Sequence, residues 1–220
     1  MRNSNLEKML YEREAVLVSE YDAALDLASF DTRDTVLDVA TGSGRMLLQI
    51  LKRGYSVISG DINQEALDKT RERLGSLADK PTLVILDAHK LPFDEGSFHA
   101  ITFVNAIHEI DNPSGVLDEI TRVLADNGRL LIVEFNAKGF ELMELHHQMQ
   151  GKGKHRKGEM STEDIDQHLR SSFDSVETKE FTITRAWVAS GKKTAANELF
   201  GVLDERAIAE ALSKAQLEED

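Results

Sequence analysis

The chain of 220 residues carries a formal net charge of −13 and contains no cysteine. Its length allows one domain with a sizeable core, and its acidity disfavours general affinity for nucleic acid or anionic membrane surfaces. The absence of cysteine excludes disulfides, thiolate metal sites and thiolate nucleophiles. Because the sequence shows neither an apolar leader segment nor a run long enough for a membrane span, we expect a cytoplasmic protein.

A helical pattern occupies residues 1–30, where apolar residues recur at close to helical spacing. A capping box formed by Ser19 and Asp22 could divide this segment into two helices. The simplest interpretation is a helical cover that packs on a sheet. In a functional alternative, Tyr11 or Tyr21 covers a bound ligand.

The stretch from Thr35 to Gly44 predicts a buried parallel strand, a glycine turn and the start of a helix. Asp38 interrupts the aliphatic run of the strand, and a buried carboxylate usually has a partner. Gly42 and Gly44 allow the backbone to turn sharply and to approach a ligand. A strand, a glycine turn and a helix N-terminus together form a nucleotide cradle.

Two cofactor classes use such a cradle. A dinucleotide fingerprint requires a third small residue three positions after Gly44, and that position is occupied by Leu47. A carboxylate such as Asp38 also favours a ligand with a cationic amino group over a pyrophosphate. The sequence therefore favours S-adenosylmethionine over NAD, and an NAD-dependent oxidoreductase is the alternative.

Two further predicted strands each end at an aspartate. Residues 55–60 lead to Asp61, whose spacing from the first strand is close to that of an acid that binds a ribose hydroxyl pair. Residues 82–86 lead to Asp87, which can accept a hydrogen bond from an exocyclic amine. The competing interpretations are a helix cap for Asp61 and a solvated loop for Asp87.

A fourth predicted strand, residues 98–104, brings Asn105, His108 and Glu109 to the carboxyl edge of the sheet. In open α/β sheets the ligand lies outside this edge. A capped helix from Pro113 to Leu124 follows, and it leads to a fifth strand.

The segments 38–44, 91–98 and 113–135 resemble the class I S-adenosylmethionine-dependent methyltransferases, in the branch that includes the quinone-biosynthesis C-methyltransferases. The resemblance implies an α/β fold with a Rossmann-like, seven-stranded, mostly parallel sheet, helices on both faces and an antiparallel last strand pair. It also implies a single methyltransferase domain over residues 1–220 and S-adenosylmethionine as the cofactor.

The resemblance further assigns contacts around that cofactor. Asp87 would accept from the adenine amino group, the Ala88 amide would address the ring, and Ile62 would lie against the adenine. Asn105 would contribute its backbone carbonyl. The predicted cofactor-binding residues are Asp38, Ala40, Thr41, Gly42, Gly44, Asp61, Ile62, Asp87, Ala88 and Asn105.

The expected reaction is an in-line methyl transfer to a small-molecule acceptor. If the acceptor must lose a proton, His108 is the first candidate for the general base and Glu109 is the second. His108 could equally be a loop histidine bonded to backbone, and Glu134 could bind substrate or cap backbone amides. A non-catalytic cofactor-binding partner subunit is a further alternative.

Residues 136–160 are expected to form a less regular, variable loop or lid. Its basic run, residues 151–158, is interpreted as a solvated mobile loop, and the alternative is a lid whose cations meet an acidic substrate. His146, His147 and His155 lack the spacing of metal ligands on one helical face, so no metal site is predicted.

The C-terminal third of the chain completes the predicted fold. Ser161 and Asp164 form a capping box that opens a helix, and residues 176–183 and 186–189 form two strands joined tightly. The segment from 194 to 220 is interpreted as an extra helix that could cover the sheet edge or make a homodimer contact.

Overall fold

A computed structural model describes residues 4–193 of the chain. Its centre is a seven-stranded sheet in which β3, β2, β1, β4 and β5 are neighbours and parallel, and β7 is antiparallel to both β5 and β6. The predicted α/β architecture is therefore confirmed. The strands are β1 (Thr35–Val39), β2 (Ser56–Asp61), β3 (Thr82–Ile85), β4 (Phe98–Val104), β5 (Leu124–Phe135), β6 (Phe173–Glu180) and β7 (Thr184–Lys192).

Helices cover both faces of the sheet. One hydrophobic cluster lies between the sheet and α1, α2 and α5, and a second lies between the sheet and α4 and α6. Within residues 4–193, no helix is both long enough and apolar enough to cross a membrane. The helices are α1 (Ser4–Ala28), α2 (Arg45–Lys52), α3 (Gln64–Leu74), α4 (Pro113–Val123), α5 (Ala137–Met149) and α6 (Thr162–Ser172), with short 3-10 turns at Gly75–Leu77 and Ile107–Glu109.

The polar position in β1 is explained by the register of the sheet. Asp38 is 2% exposed, and it lies opposite Ser59 of β2 and Thr102 of β4. Both hydroxyls donate to its carboxylate, Ser59 Oγ at 2.8 Å and Thr102 Oγ1 at 2.7 Å. A buried carboxylate is tolerated where hydrogen-bond donors replace water, so Asp38 joins the three central strands just below the glycine turn.

Polar caps begin most of the helices at the strand ends. Asn63 accepts from the Glu65 amide, Asn136 accepts from the Gly139 amide, and Ser161 forms the predicted capping box with Asp164. Such side chains satisfy amides that have no partner within the helix.

Three expectations need correction. The helix α1 is continuous, so Ser19 and Asp22 do not divide it. The expected irregular segment 136–160 is wrong for its first half, which forms α5. The sequence predicts a turn at residues 126–128 before the fifth strand, but β5 already begins at Leu124, and its register with β4 shifts there. The predicted helix over 194–217 lies outside the described residues.

Candidate active site

The glycine turn after β1 follows a backbone path that L-residues rarely adopt. Ala40, Gly42 and Gly44 have positive φ angles of 56°, 57° and 74°. A Cβ atom on Gly44 would lie 2.9 Å from Thr70 Cγ2, whereas one on Gly42 would meet no atom within 4 Å. Gly44 is therefore required for packing between α2 and α3, and Gly42 borders open space where a ligand can approach.

Asp61 lies at the end of β2 and holds the same turn. Its Oδ2 accepts from the Gly42 amide at 2.9 Å, and its Oδ1 accepts from the Asn63 amide at 3.0 Å. The N-cap of α3 is Asn63 rather than Asp61, and the Asp61 carboxylate supports that cap residue and lines a cavity. Ile62 beside it is 67% exposed, which is unusual for a large apolar side chain.

Asp87 follows β3 and is exposed. Its Oδ1 accepts from the His89 amide at 2.9 Å and lies 3.0 Å from His89 Nδ1. These bonds from the backbone and side chain of His89 hold the pKa of Asp87 below its usual value. The carboxylate is therefore ionised at neutral pH and remains an acceptor.

Two cavities lie along the carboxyl edge of the sheet. We name the first the acidic cavity; its volume is about 380 Å³, and it is lined by Asp61, Ile62, Asp87 and Ala88, among others. We name the second the basic cavity; its volume is about 330 Å³. The side chains that distinguish the basic cavity are Arg13, Tyr21, Arg45, His108, Met143, His146, His147, Lys152 and His155.

The two cavities share four residues: Ala40, Gly42, Asn105 and Glu109 line both. Asn105 has a positive φ of 49°, and its Nδ2 donates to the hydroxyl of Tyr21 at 2.6 Å. Its Oδ1 is buried and has no partner among the described residues. An acceptor without a partner at the junction of two cavities is suited to a ligand that carries an N–H donor.

Tyr21 rather than Tyr11 faces this site. Tyr21 is 3% exposed and lines the basic cavity, whereas Tyr11 is 85% exposed. Burial raises the pKa of the Tyr21 phenol, which therefore stays protonated. The helix α1 thus covers the basic cavity through Tyr21.

His108 and Glu134 form a buried pair at the floor of the basic cavity. The His108 Nδ1 and Glu134 Oε1 atoms are 2.8 Å apart, and both side chains are 3% exposed. Glu134 also accepts from the backbone amides of His108 and Phe135. Glu134 thus caps backbone amides, as one of its predicted roles, and also orients the His108 ring.

The charge state of His108 follows from its neighbours. Burial by itself would lower the pKa of His108, but the neighbouring carboxylates of Glu109 and Glu134 raise it to about 9. His108 Nε2 lies 3.6 Å from Glu109 Oε1. The imidazole is therefore protonated at neutral pH, which sequence reasoning did not anticipate.

Glu14 of α1 fixes the glycine turn from above. Its two oxygens accept from Arg45 Nε at 2.7 Å and from an Arg73 terminal nitrogen at 2.6 Å. Arg45 and Arg73 also bond to the side chain and the backbone carbonyl of Ser43. Sequence reasoning missed this clamp because its members are far apart in the chain.

The basic loop, residues 151–158, is docked on the turn that carries His108. Arg156 donates to the Glu109 carbonyl at 3.2 Å and pairs with Asp111. Gly158 packs so closely that an added Cβ would lie 2.6 Å from His108 Cα. Two residues of this loop, Lys152 and His155, line the basic cavity. Over residues 4–193, His, Asp and Glu form no group of three or more that could hold a metal ion.

Comparison with known proteins agrees with this arrangement. A family profile described as a methyltransferase domain matches residues 37–132. A demethylmenaquinone methyltransferase of Clavibacter sepedonicus is 35% identical over 103 residues, which cover 47% of this chain and 42% of that protein. A ubiquinone/menaquinone biosynthesis C-methyltransferase of Methylococcus capsulatus is 34% identical over 126 residues, which cover 54% and 50%.

The chain spans about half or less of the length of these curated relatives. A solved structure of an S-adenosylmethionine-dependent methyltransferase from Aquifex aeolicus shares the fold, with a TM-score of 0.59 and 18% identity, over 86% of this chain and 98% of that one. These similarities support a class I S-adenosylmethionine-dependent methyltransferase, with S-adenosylmethionine as the cofactor.

Proposed function

We propose that this chain transfers a methyl group from S-adenosylmethionine to a small molecule. The observation that carries the proposal is the pair of cavities that meet at Ala40, Gly42, Asn105 and Glu109. The acidic cavity would hold the nucleoside part of the cofactor. The basic cavity, which includes the glycine turn, would hold the amino-acid part of the cofactor together with the acceptor. The methyl group would then be transferred from the cofactor to the acceptor at the junction of the two cavities.

The residues of the acidic cavity fit the cofactor. Asp61 and Asp87 offer carboxylate oxygens to the donors of a ribose and an adenine amine, and Ile62 offers an apolar surface. The buried Asn105 Oδ1 has no partner among the described residues, and a cofactor amino group would supply one. Ala88 lines the same cavity, and Thr41, which lines the basic cavity, completes the proposed cofactor site together with the glycine turn.

Asp38 is proposed to act less directly than the sequence suggested. Its carboxylate lines the basic cavity, but both oxygens already accept hydroxyl hydrogen bonds from neighbouring strands. Burial raises the pKa of Asp38. We therefore assign it the task of holding β1 in place under the glycine turn.

When bound, S-adenosylmethionine supplies a methyl carbon on a positively charged sulfur, which leaves as a neutral thioether. The protein contributes mainly by positioning, since correct placement of two reactants can supply about 7–11 kcal/mol of the barrier. Tyr21 and α1 cover the site and exclude water. The Glu14 clamp holds the glycine turn in one conformation.

The pKa shifts of His108 and Glu109 reverse the order in which these residues are proposed as the general base. A histidine that is already protonated cannot accept a proton, so at neutral pH His108 would donate a hydrogen bond to negative charge on the acceptor. Protonated His108 nearby lowers the pKa of Glu109, against the opposing effect of partial desolvation. Glu109 is therefore ionised and is the proposed proton acceptor where one is needed.

A methyl-acceptor screen on wild type and on His108→Asn tests this function. We expect turnover with at least one small acceptor, and a loss of about 10²-fold or more in the variant, with unchanged affinity for S-adenosylhomocysteine. An unaffected rate would leave His108 with a structural role alone. Binding of S-adenosylhomocysteine without turnover on any acceptor would instead favour a non-catalytic partner subunit.

The remaining expectations stay proposals. A single domain over residues 1–220, a small-molecule rather than a nucleic-acid acceptor, a cytoplasmic location and a homodimer contact through residues 194–220 are all compatible with the described residues. Analytical ultracentrifugation of the chain with and without residues 194–220 tests the dimer. If both proteins contain the same number of chains per particle, the proposed dimer contact through residues 194–220 is wrong.

A further inference from the structure

We propose that His155 of the basic loop helps to bind the methyl acceptor. Its Nε2 atom accepts a hydrogen bond from an O–H or N–H group of that molecule, and His147 holds the ring in the tautomer that this contact requires. The inference rests on the proposed function and deepens it, because it adds a recognition residue for the acceptor. The proton stays on the acceptor in this contact, and Glu109 keeps the role proposed above.

His155 differs from the rest of the basic loop by its burial. Of residues 151–158 it alone is buried, with 8% exposed, whereas the other seven residues are exposed. Its backbone amide donates to Glu144 Oε2 at 2.9 Å, and its ring centre lies 5.1 Å from that of His108 and 6.2 Å from that of Phe140. A loop that buries one polar side chain against the lining of a cavity favours the lid interpretation over a purely solvated segment.

The hydrogen bonds of this loop define the tautomer of His155. His147 Nδ1 lies 3.3 Å from the carbonyl oxygen of Gly153, which can only accept a hydrogen bond. In a neutral His147 the other ring nitrogen, Nε2, is therefore an acceptor. That atom lies 3.3 Å from His155 Nδ1. His155 Nδ1 thus donates, and the lone pair of the ring is on His155 Nε2.

His155 Nε2 is a buried acceptor that the protein leaves without a donor. It has no hydrogen-bond partner in the part of the chain that the structure describes. Burial lowers the pKa of His155, and so does the charge of protonated His108, among others, against the effects of Glu109 and Glu134. The ring is therefore neutral at neutral pH. A buried polar atom without a partner is unfavourable, and a donor group on a bound ligand would supply the missing bond.

The surroundings of His155 separate it from the part of the cavity around the glycine turn. The charged groups named above that act on its pKa follow β4 or lie on β5. By contrast, burial and the charges of Arg13 and Arg45, among others, lower the pKa of His146. Arg45 directly follows the glycine turn, where the amino-acid part of the cofactor is proposed to bind. His155 is therefore better placed for the acceptor than for the cofactor.

His108 complements His155 on this side of the cavity. Protonated His108 can only donate hydrogen bonds, whereas His155 Nε2 can only accept one. Two neighbouring rings of opposite hydrogen-bonding character suit a neutral hydroxyl or amino group, which can accept one bond and donate another. The pair would thus select acceptors by a donor group and orient them before methyl transfer.

NMR titration of the protein saturated with S-adenosylhomocysteine tests the proposal. The probes are phenol, aniline and fluorobenzene, which are similar in size; the first two carry a donor and the third does not. We expect phenol or aniline to bind wild type about tenfold or more tightly than fluorobenzene. His155→Phe keeps a ring without an acceptor and should lose this preference, whereas His155→Gln keeps an acceptor oxygen and should retain part of it.

The matched control is His99→Phe. His99 is exposed on β4 and lines neither cavity, so this variant should keep the preference of wild type. The nitrogen chemical shifts of the imidazole rings in ligand-free wild type give an independent readout. At pH 7 we expect a neutral His155 ring with its proton on Nδ1, and we expect His147→Phe to lose this single tautomer.

Three results would overturn the proposal. The first is the absence of a preference in wild type, or an unchanged preference in folded His155→Phe, which would leave His155 with a packing role alone. The second is a His155 ring that carries a proton on Nε2. The third is a loss of affinity for S-adenosylhomocysteine in His155→Phe with no loss for 5′-methylthioadenosine, which lacks the amino-acid part; His155 would then serve the cofactor.

Absence of S-adenosylhomocysteine binding to wild type is a separate readout. It would refute the proposed function together with this inference, whereas binding of S-adenosylhomocysteine without a preference among the probes would refute this inference alone.

Discussion

The two cavities at the carboxyl edge of the sheet are built in different ways. The acidic cavity consists of residues that directly follow strands, such as Asp61 after β2 and Asp87 after β3, and its acids are at least partly solvated. The basic cavity is closed by α1, α5 and the basic loop, and its floor is a buried ion pair. The acidic cavity is therefore set by sheet topology, and the basic cavity is set by the packing of helices over the sheet edge.

The largest expected effect is a loss of stability when the buried carboxylate at the floor of the basic cavity is removed, compared with the exposed one. Glu134→Ala removes the partner of protonated His108 and two backbone hydrogen bonds. We expect the free energy of unfolding to fall by about 3–5 kcal/mol, as for other buried pairs that lose one member. Urea unfolding measures this value.

The matched control is Glu109→Ala, which removes the exposed partner of the same histidine. Its side chain is 68% exposed, and exposed pairs contribute about 0–1 kcal/mol. An equal loss of unfolding free energy in the two variants would show that the buried pair contributes no more to stability than the exposed one.

The second prediction concerns pH. The pKa of His108 is raised from 6.5 to about 9 in the folded protein. Its contribution to stability is therefore fully present below pH 6.5 and is lost as pH rises through about 9. Its size is at most about 3 kcal/mol.

Urea unfolding of wild type and of His108→Asn between pH 6 and pH 10, a range that extends beyond this window on both sides, isolates this contribution. The difference in unfolding free energy between the two proteins should shrink as pH rises. A constant difference would mean that His108 is not protonated in the native state.

The third prediction concerns the acidic cavity. Asp61→Ala removes a charged acceptor, so affinity for S-adenosylhomocysteine should fall by about 1.5–3 kcal/mol. Asp79→Ala is the control, because Asp79 is exposed and lines neither cavity. Calorimetry measures both affinities, and unchanged binding in Asp61→Ala would refute its assignment to the ribose.

The smallest expected effects compare two glycines of one turn. A left-handed backbone costs an L-residue about 1–2 kcal/mol, and Gly44→Ala adds a contact of 2.9 Å with Thr70. Gly42→Ala adds no such contact. Gly44→Ala should thus destabilise the protein more, whereas Gly42→Ala should act mainly on cofactor affinity. Equal losses of stability in thermal unfolding would contradict this distinction.

The acidic cavity could be predicted because parallel strands place their carboxyl ends at one edge. Once the strands before Asp61 and Asp87 were recognised, the proximity of the two acids followed from topology alone. The pairing of His108 with Glu134 was within reach of the same argument, since β4 and β5 are neighbours with Val104 opposite Val133. What was missed there is the close approach of Glu109 and Glu134, which keeps the histidine protonated against the effect of its burial.

The basic cavity could not be predicted in the same way. The helix α5 buries only Gly139 and Leu142, so its sequence lacks the apolar period that reveals a helix. Arg13 reaches the cavity through the packing of α1 against α5, which joins residues 130 positions apart. Neither local spacing nor strand order contains that information.

The most direct test of the account is calorimetric titration of the purified chain with S-adenosylhomocysteine and, separately, with NADH. The account predicts saturable binding of S-adenosylhomocysteine and no heat with NADH. A flat titration with S-adenosylhomocysteine, without any shift of the melting temperature, or tight binding of NADH, would contradict it.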